Sequence, residues 1–214
     1  MANKPLHLTA SGRARARPSR SVYCDSRVPQ VSGNALGGLN RAMYQVDQRD
    51  SVVELYDVPR PDVGAPLPAV VASGRQLELV YRVSERGPNR DGTDIHVVGT
   101  TSEGQLVARI RFDHPYAHMF GPPDDEAFTG HPLASRGLGP YKVWEVHDSS
   151  WLRSLEHMNS IHPHHSRDAF MCLRHFVFAF HDATFECIAS RYDCHVERGS
   201  VAAVAAAVPA GWVY

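Results

Sequence analysis

Apolar and polar side chains alternate from Gln76 to Val83: Leu77, Leu79, Tyr81 and Val83 interleave with Gln76, Glu78 and Arg82. Successive strand side chains point to opposite faces, so this period predicts a half-buried β-strand. A polar loop, Ser84–Thr93, leads to a second expected strand at Asp94–Thr101. A tight turn at Ser102-Glu103-Gly104 then opens a third, Gln105–Asp113, where Leu106, Ala108, Ile110 and Phe112 alternate with Arg109 and Arg111. The three read as an antiparallel meander with one wet face.

The clearest alternation runs from Arg174 to Arg191. His175-Phe-Val-Phe-Ala-Phe-His181 goes out and Thr184-Phe-Glu-Cys-Ile-Ala189 returns, with Asp182-Ala183 as a two-residue turn or part of a four-residue loop. With the tighter turn, His181 pairs with Thr184 and Phe180 with Phe185. Phe176, Phe178, Phe180, Phe185, Cys187 and Ala189 then share a core face. The opposite face carries His175, Val177, Ala179, His181, Thr184, Glu186 and Ile188. Tyr141–His147 also reads as a strand.

Helical spacing is shorter-lived. Leu39, Ala42, Met43 and Val46 predict a short amphipathic helix. Asp148-Ser149-Ser150 supplies N-cap residues for a helix whose apolar face is Trp151, Leu152, Leu155, Met158 and Ile161, stopped by Pro163. Ser200–Val208, with Val201, Val204 and Val208 on one stripe, is too short to persist unless docked. Four prolines, Pro59, Pro61, Pro66 and Pro68, suit an extended linker. Asp113–Pro140 carries little periodicity, and loops of that length tend to be functional.

These elements predict an α+β fold: a curved antiparallel sheet of about six strands, with a small β-barrel as its specific form, and one to three packed helices. Four segments follow: a basic disordered arm over 1–38, a helix and Pro-rich linker over 39–75, the antiparallel domain over 76–198, and an Ala-rich helix and tail over 199–214.

Charge narrows the function. The 214 residues hold 22 Lys and Arg against 23 Asp and Glu, a net −1, which speaks against a nucleic-acid partner. Five of the cations (Lys4, Arg13, Arg15, Arg17 and Arg20) lie in the arm, which an organelle-targeting segment would resemble. No apolar run nears the ~20 residues of a membrane span. Sparse cysteine and the lack of an apolar leader region suit reduced thiols and a cytoplasmic location.

The candidate chemistry is histidine. On the second hairpin face Glu186 lies diagonal to His181, within reach of long side chains. Such a pair supports proton transfer, with Glu186 orienting the imidazole and His175, Thr184 and His114 lining a small-molecule pocket. A divalent metal is the alternative cofactor, since two His and a carboxylate recur as Zn²⁺ or Fe²⁺ ligands. His181 and Glu186 would then ligate with His162, His164 or His165. His175 and His181 lie six residues apart, about 20 Å along a strand at ~3.3 Å per residue, so one ion cannot take both without a bulge. There is no GxSxG elbow, dinucleotide fingerprint or phosphate loop, which disfavours serine acyl transfer and nucleotide chemistry. A non-catalytic ligand- or protein-binding module is the rival reading.

Overall fold

The computed structural model describes residues 44–84 and 98–208. The described residues all belong to one unit of the chain, Asn40–Tyr214. The fold is α+β, built on two open antiparallel sheets rather than a closed barrel. One sheet has five strands in the order β1 (Ser51–Glu54), β6 (Val143–His147), β7 (Arg174–Ala179), β8 (Thr184–Ala189) and β5 (Ala117–Gly121). The other has four: β2 (Ala69–Ala72), β3 (Leu77–Arg82), β4 (Gln105–Asp113) and β9 (Arg191–Gly199).

The alternating residues explain how the sheets stack. Leu77, Leu79 and Tyr81 of β3 and Ala108, Ile110 and Phe112 of β4 face Phe176, Phe178, Phe185 and Cys187 of the hairpin, and together they form the central core. Phe178 lies edge-on to Tyr81, Phe112 and Phe185, a favoured arrangement of aromatic rings.

Both sheets also carry cover on their outer sides, so the expected wet face fails at β3, while it holds at Arg111 of β4 and along β9. All six residues of β3 are buried. Val80 lies under α3 (Val201–Ala207) with Val107, Val201, Val204 and Val208, while Glu78 and Arg82 are paired with Arg109 and Asp62. Docking on that valine cluster is what lets so short a helix persist. Ser200 caps it, accepting from the Ala203 N–H at 3.3 Å and donating to Glu103 at 3.0 Å. Ser200→Ala is expected to lower stability by about 1 kcal/mol, read from urea midpoints at constant slope.

The second hairpin face is buried as well. Val177, Ala179 and Ile188 pack with Tyr44, Phe128, Leu133, Trp144, Trp151 and Leu152. That cover comes from α1 (Ser150–Asn159), from two 3₁₀ turns at Phe128–Gly130 and Ala134–Arg136, and from the segment 44–50. A four-residue helix, α2 (Arg167–Phe170), follows α1.

Several expectations need correction. The hairpin pairs Phe178 with Phe185 and Ala179 with Thr184, two residues from the register of the tight turn. Its loop is the four-residue form, closed by Phe180 N–H to the Ala183 carbonyl at 2.9 Å. A shift of two keeps the side chains still in the ladder on their expected faces and places His181 in the loop. The segment 39–75, in which Val52–Tyr56 reads as extended ahead of the Pro-rich linker, supplies one edge strand to each sheet, β1 and β2. The irregular stretch 113–140 contains β5. Residues 44–50 are not helical, and Met158 and Ile161 are exposed rather than core. Residues 98–99 are irregular and 100–101 are turn rather than strand; residues 94–97 lie outside the described residues, as do the arm, residues 39–43 and the tail from 209. No helix among the described residues is long and apolar enough to cross a membrane.

Candidate functional site

The structure separates the two residues paired by sequence reasoning. Glu186 is 1% exposed and lies at the centre of a closed polar cluster. Its Oε1 accepts from His131 Nε2 at 3.1 Å, and its Oε2 accepts from His175 Nε2 at 2.8 Å and from the Tyr44 hydroxyl at 2.8 Å. The Leu133 N–H donates to His131 Nδ1 at 3.1 Å, so the ring proton of His131 sits on Nε2 and points at the carboxylate.

His175 is fixed from its other side too. Its Nδ1 is 2.9 Å from Ser149 Oγ, which caps α1 by accepting from the Leu152 N–H at 3.1 Å. The Glu186 carboxylate only accepts, so His175 Nε2 carries a ring proton toward it. Burial pushes the Glu186 carboxyl up, but the hydrogen bonds from His131 and His175 outweigh it and hold the group down at about 2. Burial and the Glu186 charge raise the Tyr44 phenol far above its ordinary range.

A metal would need the nitrogen lone pairs that this arrangement replaces with N–H bonds. Among the described residues no group of three or more His, Cys, Asp or Glu side chains has an arrangement that could hold a metal ion. His162, His164 and His165 lie in the exit loop of α1. There His165 Nε2 meets Glu156 at 2.9 Å, and His162 Nδ1 accepts the His164 N–H. His114 follows β4 and meets Ser190 Oγ at 3.3 Å. Thr184 is buried and donates to the Pro123 carbonyl at 2.8 Å.

His181 belongs to a different and more open group. Its Nδ1 is 3.0 Å from Asp125 Oδ2, and the same carboxylate oxygen accepts a short hydrogen bond from the Tyr141 hydroxyl. The Tyr141 ring stacks on the imidazole with centroids 6.2 Å apart. The Asp125 hydrogen bond raises the His181 pKa above its ordinary 6.5, against a smaller opposing effect of burial. The Tyr141 bond, followed by that from His181, lowers Asp125, and Asp125 in turn pushes Tyr141 up to about 12. The His181 side chain is 40% exposed, and its Nε2 has Asp182 Oδ1 at 3.8 Å, beyond hydrogen-bond distance.

Tyr141 also lines an open cleft of about 680 Å³. Pro59, Pro61, Val63, Val83 and Pro140 give it apolar walls, and Tyr56, Arg60 and Lys142 stand among them. Glu54 bridges the two cations, meeting Arg60 at 2.6 Å and Lys142 at 2.8 Å, so one positive charge is left in excess. A mixed wall of this kind, apolar with a few fixed polar groups, suits a small ligand.

Sequence reasoning paired Glu186 with His181; the structure places Glu186 against Tyr44, His131 and His175, and His181 against Asp125 and Tyr141. Tyr44, His131, Asp125 and Tyr141 are 142, 55, 56 and 40 residues from the groups they touch. No local spacing signals such contacts. No protein family, curated protein or solved structure matches this chain, and the chemistry of the site is read from its geometry.

Proposed function

We propose that the protein is a small-molecule enzyme in which His181 moves a proton, Asp125 orients and raises the imidazole, and the neighbouring cleft holds the substrate. The observation that carries this reading is the half-exposed imidazole with Nδ1 held by a carboxylate and Nε2 clear of any hydrogen bond to Asp182. Such an arrangement fits a general base, since Asp125 fixes the proton on Nδ1 and stabilises the cation that forms. Tyr141 is a positioning residue: its hydroxyl is committed to Asp125 and its ring packs the imidazole in place. Glu186 and His175, fully enclosed, support the hairpin from beneath rather than meeting substrate. Arg60 and Lys142 favour an anionic substrate, and the apolar walls favour one with a ring or branched chain. Exposed Cys172 and Cys194, both unpaired, suit a reducing cytoplasm.

Phenylpyruvate is a suitable probe because it joins a ring, a carboxylate and an acidic C–H. In D₂O the chain is expected to exchange that proton faster than buffer, and His181→Gln should reduce the excess rate by about 10²–10⁴-fold. The basic form of His181 is the active one, so the rate should rise with pH through a value above 6.5. Asp125→Asn should move that inflection downward. Binding without exchange would support the second reading, a ligand-binding module, which the 79% exposure of Tyr56 at the cleft mouth favours. No shift of Tyr56 or Lys142 NMR signals on titration would overturn both.

A further inference from the structure

We propose that two copies of the chain associate through β9, antiparallel, with Cys194 opposite Cys194 of the second copy. β9 is an edge strand: among the described strands it pairs only with β4. It pairs over nine consecutive residues, Arg191↔Asp113 to Gly199↔Gln105, with neither a bulge nor a proline. Proteins ordinarily shorten, kink or cover such an edge, because its outward backbone groups template another strand. The opposite edge of the same sheet, β2, is only four residues long.

Charged side chains on an edge can also prevent pairing, so their order along β9 decides the matter. A two-fold axis through an antiparallel pair keeps like faces together, so only registers that oppose residues of the same face are open. Centred on Cys194, Arg191 lies opposite Glu197 of the second copy, Asp193 opposite His195, and Tyr192 opposite Val196. The symmetry makes each contact twice. Moving the centre to His195 sets Asp193 against Glu197, and moving it to Asp193 sets that carboxylate against its own copy. Both neighbouring registers oppose like charges, which destabilises a pair. The charges therefore exclude both neighbouring registers and favour the one centred on Cys194, which makes the most opposite-charge contacts, rather than blocking all of them.

The two faces agree with that choice. Arg191, Asp193, His195 and Glu197 lie on the outer face beside Asp113, Arg111, Arg109 and Val107 of β4. Arg191 uses Nε for Asp113 Oδ2 at 2.6 Å, and a guanidinium has further donors for a second carboxylate. Tyr192, Cys194 and Val196 lie on the sandwich side, beside Phe112, Ile110 and Ala108. Tyr192 packs edge-on to Phe176, yet Cys194 is exposed and Val196 is 38% exposed. Apolar side chains facing the core side without cover are what a continuing sheet would bury. Pairing would join the two four-stranded sheets into one continuous sheet.

Sedimentation of the full chain at concentrations up to roughly 100 µM tests this. The expected mass is twice 23.7 kDa. Arg191→Glu and Glu197→Arg should each weaken the dimer by about tenfold or more, because each sets like charges opposite one another twice. The double variant restores opposite charges and should restore the dimer. Where a single variant is poorly folded, the double variant and a diamide cross-link carry the test. With Cys24 and Cys172 changed to Ser, diamide should link the two Cys194 thiols. It accepts one hydrogen atom from each and is reduced to its hydrazine as the S–S bond forms. A monomer at every concentration would overturn the proposal, as would a folded double variant that fails to dimerise or a dimer that diamide leaves unlinked.

Discussion

Glu186→Ala is expected to destabilise the fold by about 3–5 kcal/mol, the range for a buried polar network that loses its central charge. The carboxylate accepts from Tyr44, His131 and His175, and none of these donors can turn to water, since His131 is 3% exposed, His175 0% and Tyr44 6%. Removing the acceptor leaves three buried donors unsatisfied, each at the full cost of its desolvation. Glu186→Gln should cost less, about 1–3 kcal/mol, because its carbonyl still accepts while its amide N–H₂ opposes a donor.

The same carboxylate sets an acid limit. Its pKa is held at about 2 in the folded chain against an ordinary 4.5, so the unfolded chain binds the proton more readily. The stabilisation is then complete above about pH 4.5 and is lost as pH falls toward 2. Urea midpoints of the wild type should decline through that window, and Glu186→Gln should lack this part of the decline. An equal slope in the two proteins would show that the carboxylate is not the group being titrated.

How much of this was legible in the sequence depends on range. The faces of the β7–β8 hairpin follow from alternation alone, and even a register error of two leaves Phe178 inward and Glu186 on the opposite side. The Ser149 and Ser200 caps follow from residue type and position. By contrast β2, with the sequence Ala-Val-Val-Ala, and β5, with Ala-His-Met-Phe-Gly, are too short for any period to show. They are strands because longer neighbours, β3 and β8, offer free edges. Histidine density drew attention to residues 175–186. It could not show that Glu186 is sealed among Tyr44, His131 and His175 while His181 meets Asp125, since those contacts exist only after the sheet is covered.

Asp62→Ala should cost about 3–5 kcal/mol and should also weaken the cleft, because one buried ion pair holds its wall. Asp62 Oδ2 meets Arg82 at 2.9 Å with both side chains under 10% exposed. Its Oδ1 accepts the Gly64 and Ala65 N–H groups at 3.0 Å, fixing the turn that carries Pro61 and Val63 into the cleft. The segment is further tied to β3 by Asp62 N–H to the Arg82 carbonyl at 3.0 Å and by the Tyr81 hydroxyl to the Pro59 carbonyl at 2.6 Å. Alanine leaves the Arg82 guanidinium buried without its counter-charge and frees the turn. Asparagine keeps an acceptor for the turn and removes only the charge, so Asp62→Asn should fall between alanine and wild type in urea midpoint. Phenylpyruvate affinity should follow the same order, because the wall formed by Pro61 and Val63 is positioned by the turn. If Asp62→Asn lost as much stability as Asp62→Ala while keeping full affinity, the ion pair would hold the β3 end alone and the cleft wall would be set by the backbone bonds.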